Sequence, residues 1–209
     1  SSAMGGTQTR RAGTTEDAGM NEAHVVSLSG GKDSTALALR LAEVEPREYI
    51  FACTPTGDEL PEMVEHWRRI ESLLGAPICQ IRAKQDLSQL IAEWGALPNH
   101  RQRWCTRVLK IEPFQAFMFS LAKEYDRVIA YVGLRADEPE REGAIYPTSH
   151  NSGAFKALRV EQRYPLREWG WTVRDVWRYL QERGITIPKR TDCARCFWQT
   201  LAEWKSLSE

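Results

Sequence analysis

The chain has 209 residues, with 28 basic against 28 acidic side chains and 42% hydrophobic residues. That length suits one domain whose core can stand without disulfide or metal staples. The charge balance excludes a binder that depends on a large positive excess. No apolar run approaches the roughly 20 residues of a membrane span and no signal-peptide pattern opens the chain, so a cytoplasmic protein without membrane association is expected.

Residues 1–22 are rich in Ser, Thr, Gly and Ala and nearly devoid of large apolar side chains, which predicts a flexible tail. Its first four residues, Ser1 to Met4, look like a cloning remnant. Residues 23–209 are expected to form a single domain. His24 to Ser29 reads as a buried strand, followed by a helix from about Asp33 to Val44 and a second strand, Tyr49 to Cys53. After Pro61, the helical spacing of Met63, Trp67, Ile70 and Leu74 predicts a helix with one apolar stripe. Pro77 to Ile81 reads as a third strand, Arg107 to Lys123 as a helix and Arg127 to Val132 as a fourth strand. The polar stretch from Gly133 to Ala157 reads as a functional loop or partial disorder. A short strand within Val160 to Leu166, a helix from Val173 to Arg183 and a short helix around Leu201 to Leu207 complete the pattern. Strands separated by helices predict an α/β fold with a doubly wound, mostly parallel sheet and a cysteine-bearing C-terminal extension.

Ser29-Gly30-Gly31-Lys32-Asp33-Ser34 falls where the first strand meets the first helix. Two glycines permit a tight turn and close backbone approach, and the helix N-terminus favours an anion. The hydroxyls of Ser29 and Ser34 and the charge of Lys32 add to that preference. The spacing differs from the Walker A loop. These residues match the Ser-Gly-Gly-x-Asp-Ser signature of the PP-loop ATP pyrophosphatases, which hold ATP or a related adenylyl nucleotide and act at its α-phosphate.

Further segments resemble the phosphoadenosine phosphosulfate (PAPS) reductase family, in family order, over roughly His24 to Cys196. Thr56-Gly57-Asp58-Glu59-Leu60-Pro61-Glu62 resembles its nucleotide-side stretch. Gly133-Leu134-Arg135-Ala136-Asp137-Glu138 with Arg141 resembles its Gly-x-Arg-x-x-Glu loop. Pro165 to Trp169, with Asp175, Trp177 and Tyr179, resembles a later helical segment. The resemblance implies an adenine-nucleotide-hydrolase-like fold and nucleotide binding by Ser29, Gly30, Gly31, Lys32, Asp33, Ser34, Thr56, Gly57, Asp58, Gly133 and Arg135. Lys32, Asp33 and Arg135 become the candidate catalytic residues, Arg135 through phosphate or sulfate contact, and Asp58 a candidate Mg²⁺ ligand. Trp169 and Trp177 read as packing residues and Asp175 as a helix-start residue.

Five cysteines, an odd number, fit poorly with a secreted disulfide framework. Trp104 to Pro113, containing Cys105, resembles a segment of the iron–sulfur members of the family, whose second ligand pair is a late Cys-x-x-Cys, here Cys193 and Cys196. Thr106 stands where those members have a further cysteine. The resemblance therefore implies a [4Fe–4S] cluster held by Cys105, Cys193 and Cys196. Zinc completed by a histidine, or no metal, are the alternatives. Cys53 and Cys79 read as small core residues.

The reductases of this family carry a C-terminal cysteine nucleophile, and no cysteine follows Cys196 here. The resemblance thus implies, first, an ATP- and Mg²⁺-dependent enzyme that adenylylates an acceptor, releasing pyrophosphate, for sulfur transfer or nucleic-acid modification. The similarity of Cys105 to Ile111 to phosphorothioation-type and phage-encoded relatives brings in a nucleic-acid acceptor. A sulfur-donor protein such as a cysteine desulfurase, or subunits of a modification complex, are the implied partners, with a homodimer among the options. The alternatives are a PAPS or adenylyl-sulfate reductase using another protein's cysteine, and a nucleotide-binding subunit of a modification or defence complex. The zero net charge also hides unlike regions. Arg101 to Lys110 holds four bases and no acid, and Lys156 to Arg174 is mainly basic, so a positive rim near the loop is expected.

Overall fold

A computed structural model describes residues 20–141 and 160–207 of the chain. Five strands, β1 (Glu22–Ser27), β2 (Ile50–Cys53), β3 (Ile78–Gln80), β4 (Arg127–Tyr131) and β5 (Val160–Arg163), form one sheet in the order β3-β2-β1-β4-β5. Every pairing is parallel; Val25 lies opposite Ile50 on one side and Ala130 on the other. The direction of winding reverses between β1 and β4, and the carboxyl edge of such a sheet opens a crevice there.

The helices are α1 (Lys32–Val44), α2 (Pro61–Leu74), α3 (Leu87–Trp94), α4 (Trp104–Thr106), α5 (Glu112–Glu124), α6 (Pro165–Glu168), α7 (Val173–Glu182) and α8 (Leu201–Lys205). One face of the sheet packs against α1, α2 and α7 through Leu37, Leu41, Ile70, Val176 and Leu180. The other packs against α5 through Phe114, Met118 and Leu121. Burying a large aliphatic side chain is worth about 1.5–3 kcal/mol. With Leu37 and Leu41 fully buried, α1 is pinned and its N-terminus stays at the crevice.

The elements agree with the sequence reading except at a few positions. Helix α3 was not anticipated, although Asp86 and Gln89 form a reciprocal capping box at its start and Gly95 ends it in the left-handed region. The helix read from Arg107 begins earlier, at Trp104, and passes through a π-helical turn, Arg107–Ile111. Cys53 is buried, but Cys79 is exposed, because the outward register of edge strand β3 leaves it on the solvent side. Trp177 is also exposed, since the apolar stripe of α7 runs through Val176, Tyr179 and Leu180. Asp175 caps α7 by accepting from the amide and hydroxyl of Thr172. Most of the polar stretch 133–157 lies outside the described residues.

Candidate functional site

Segment 28–34 leaves β1 and enters α1 at the crevice. Leu28 still bonds the carbonyl of Ala52, and Gly31 caps the helix with no side-chain partner. The Ser34 hydroxyl organises the turn. It accepts from the Gly30 amide at 3.2 Å, donates to the Gly31 carbonyl at 3.1 Å and lies 3.0 Å from the Ser29 hydroxyl. Gly30 adopts φ +87°, and a β-carbon there would sit 2.6 Å from Trp67 Nε1 and 2.7 Å from Met63 Cε. Helix α2 therefore braces the loop from behind. Trp67 donates to the Ser29 carbonyl at 3.2 Å, and the His66 ring is buried on the same helix. Burial holds the His66 pKa below its ordinary value.

A cavity of about 350 Å³ opens in front of the loop. Ser29, Asp33 and Ser34 supply its polar wall, Lys110 a cation and Ile111, Phe114 and Leu134 apolar surface. The π-helical turn presents both Lys110 and Ile111 to this space. Gly133, at the end of β4, belongs to the same wall. A β-carbon there would lie 3.2 Å from the Ser34 amide, so glycine lets the two loops meet. Thr54, Phe114 and Gln115 were not named as site residues from sequence, and Lys110 entered there only within the basic stretch Arg101 to Lys110.

Arg135, beyond Gly133, is buried and engaged by three carboxylates, Asp33 at 2.8 Å, Asp137 at 2.9 Å and Glu138 at 3.0 Å. Arg167 ties the same loop down by donating to the carbonyls of Arg135, Glu138 and Arg141. As placed, Arg135 is a structural hub that reaches the loop between β1 and α1 through Asp33. Lys32 Nζ also lies 3.0 Å from Asp33 Oδ2, while Asp33 Oδ1 is buried with no hydrogen-bond partner.

The loop after β2 is closed on itself. Glu59 accepts from the Thr56 amide and hydroxyl at 2.5 and 2.7 Å and from the Gly57 amide at 3.0 Å. Asp58 faces the Cys-x-x-Cys turn and accepts from the Arg195 amide at 3.1 Å and its Nε at 3.0 Å. The Ala194 amide donates to the Asp58 carbonyl at 2.7 Å, and Glu59 pairs with Cys193 in an antiparallel bridge.

The interaction between the two thiols raises the pKa of Cys193 and lowers that of Cys196 to about 7. Cys105 packs with Cys193 around the apolar cluster of Leu87, Leu90 and Leu109. Among the described residues, however, no three His, Cys, Asp or Glu side chains are arranged to hold a metal ion. The three thiols as placed do not compose a ligand set, and no chemical step is assigned to a metal cluster. Burial pushes the Cys53 thiol up to about 12, consistent with an inert core residue.

The two basic stretches behave differently. Arg101, Arg103 and Lys110 are exposed and make no ion pair among the described residues, while Arg107 pairs with Glu112 at 2.6 Å. In the second stretch, Arg163 pairs with Glu45 and Glu168, and Arg167 is spent on carbonyls, so neither faces the loop as a free cation. Lys156 and Arg159 lie outside the described residues. No helix among the described residues is long and apolar enough to cross a membrane.

Comparison with known proteins accords with this architecture. The model of the phosphoadenosine phosphosulfate reductase domain matches residues 23–190. Two uncharacterised proteins of Methanocaldococcus jannaschii are 25% and 28% identical, over 88% and 77% of this chain. The chain spans only 38% and 36% of their lengths. Among solved structures, a PAPS reductase from Candida auris in a phosphate complex superposes with a TM-score of 0.54 at 15% identity, covering 80% of this chain and 74% of that one. A "predicted subunit of tRNA methyltransferase" from Methanocaldococcus jannaschii gives a TM-score of 0.40 at 16% identity, over 80% and 90% of the two chains. With four-fifths of its residues inside the matched region, the chain belongs to the phosphoadenosine phosphosulfate reductase domain family.

Proposed function

We propose that the chain binds ATP with its phosphates on Ser29 to Ser34 and catalyses adenylyl transfer to an acceptor, preparing it for sulfur transfer or nucleic-acid modification. The acceptor's nucleophilic atom forms a bond to the α-phosphorus, the bond to the β-phosphate oxygen breaks, and pyrophosphate leaves with the electron pair. The observation that carries this reading is the cavity at the switch point, whose polar wall is the phosphate loop and whose opposite wall is apolar. Exposed amides at the start of α1 and the serine hydroxyls favour phosphate oxygens, while Ile111, Phe114 and Leu134 offer a surface for a planar base. Lys110 supplies positive charge at the opening, and Lys32, paired with Asp33, stands at the start of α1. The membership of a nucleotide-using domain family supports the reading as well.

Magnesium accompanying the nucleotide would offset charge on the leaving pyrophosphate. The side chain that suits it is Asp33, with its unpartnered Oδ1, because Asp58 is occupied by Arg195. One or two carboxylates with phosphate oxygens make an ordinary magnesium shell.

The test is anaerobic incubation with ATP, Mg²⁺ and candidate acceptors, after nucleotide affinity has been measured. Micromolar ATP binding with pyrophosphate release and adenylylation of the acceptor is expected, AMP following only when a sulfur nucleophile displaces it. Failure to bind ATP overturns the reading, and sulfite release from an adenylyl sulfate with a thiol donor replaces it with the reductase alternative.

A further inference from the structure

We propose that Cys193 and Cys196 form a redox dithiol, closing reversibly to an intramolecular disulfide by exchange with small-molecule disulfides, rather than serving as two ligands of a three-thiolate metal centre. The geometry is local. The Cys196 amide donates to the Cys193 carbonyl at 3.1 Å, which closes a four-residue turn. Such a turn brings its first and last α-carbons within about 7 Å, and disulfides span roughly 4.4–6.8 Å between α-carbons.

The turn is held from outside, so little ordering is left for ring closure. The Asp58 carbonyl takes the Ala194 amide, the Asp58 carboxylate takes Arg195, and Gln199 Nε2 donates to the carbonyls of Cys193 and Ala194 at 2.8 and 2.6 Å. Both cysteines are partly accessible, in contrast to Cys53. Cys105 reaches the neighbouring apolar cluster but completes no three-donor group. The position also gives the chemistry an address. Cys193 lines a small cavity of about 70 Å³ with Ser29, Glu59 and Lys110, directly beside the phosphate loop.

The exchange balances. One thiolate attacks a sulfur of the small disulfide and expels one small thiolate, leaving a mixed disulfide. The second cysteine then attacks the protein-side sulfur and expels the other. Two cysteine thiols are oxidised to one disulfide, the small disulfide is reduced to two thiols, and the two cysteine protons end on those thiols.

The protein, purified anaerobically, is equilibrated in mixtures of oxidised and reduced glutathione, acid-quenched, alkylated in denaturant so that the buried Cys53 also reacts, and weighed intact. The alkylated thiols are expected to fall from five to three as the mixture becomes oxidising, and to return to five on reduction. Cys105→Ser should show the same loss of two, whereas Cys193→Ser and Cys196→Ser should lose none beyond mixed disulfide. Circular dichroism establishes that each variant is folded, and the wild-type result stands without them. Constant alkylation at every ratio, pairing that requires Cys105, or stoichiometric iron or zinc released by each of the three serine variants overturns the proposal.

Discussion

Arg195, between the two cysteines of the C-terminal turn, is bound to Asp58 through both its backbone amide and its guanidinium, 137 residues away in sequence. The guanidinium also donates to the Ser88 hydroxyl at the start of α3. One side chain thus fastens the cysteine turn, the loop after β2 and α3 to one another. Charge-assisted hydrogen bonds contribute about 1.5–3 kcal/mol each at most, and partial exposure of Arg195 screens them. Arg195→Ala should therefore cost about 1–2 kcal/mol in unfolding free energy and hasten proteolysis C-terminal to residue 190, with the sheet core intact. Denaturant unfolding with limited proteolysis checks both. An unchanged digestion pattern would mean that the apolar contacts alone hold the turn.

Ser34→Ala removes the hydroxyl that joins Gly30, Gly31 and Ser29. A net hydrogen bond is worth about 0.5–1.5 kcal/mol, so nucleotide affinity should fall roughly tenfold with little change in melting temperature. Titration calorimetry with ATP measures it.

Gly30→Ala should be far more damaging than its single methyl group suggests. It meets a left-handed backbone, costing about 1–2 kcal/mol, and a clash with Trp67 and Met63. Nucleotide binding is expected to vanish while far-UV circular dichroism stays close to that of the parent. Retained affinity would show that the loop can detach from α2.

Arg135→Met leaves Asp33, Asp137 and Glu138 without their shared cation. Breaking a buried ion pair from one side costs about 3–5 kcal/mol. Arg135→Lys keeps the charge but loses the planar fork and should recover only part of that loss. Chemical denaturation of both variants separates a structural hub from a phosphate ligand, because only the hub role predicts the loss in the absence of nucleotide.

His66 makes the region sensitive to acid. Its folded-state pKa lies below the unfolded value of 6.5 because burial opposes the charged ring. The folded chain consequently binds fewer protons, so stability is full above about pH 6.5 and declines as pH falls toward the folded pKa. His24 shifts in the same direction and contributes to the same decline. His66→Gln should flatten part of the slope between pH 7 and 5 in thermal-unfolding profiles, and an unaltered slope would assign the whole effect to His24 and the carboxylates.

Much of the fold was legible because its signals are local. Alternating strand and helix periods marked β1, α1, β2, α2, α5 and β4, and the two glycines marked the turn between β1 and α1. Helix α3 also carried its own signals in Asp86, Gln89 and Gly95, but eight residues are too few for periodicity to stand out. The π-helical turn left no such trace, since its pattern differs from an α-helix by a single inserted residue.

By itself the sequence determined the α/β class, the doubly wound alternation and the Gly-Gly turn between β1 and α1, because hydrophobic period and turn chemistry act over a few neighbouring residues. Only the tertiary structure decided which charges remain available. Arg135, Arg163, Arg167 and Asp58 read alike as candidate ligands or rim charges, yet each is committed to partners that are mostly remote in sequence. The balance of 28 basic and 28 acidic side chains is in this sense a set of particular pairings. Those pairings follow from how the loops converge at the carboxyl edge of the sheet, where short-range Coulombic attraction and hydrogen-bond geometry select among charges that composition cannot tell apart.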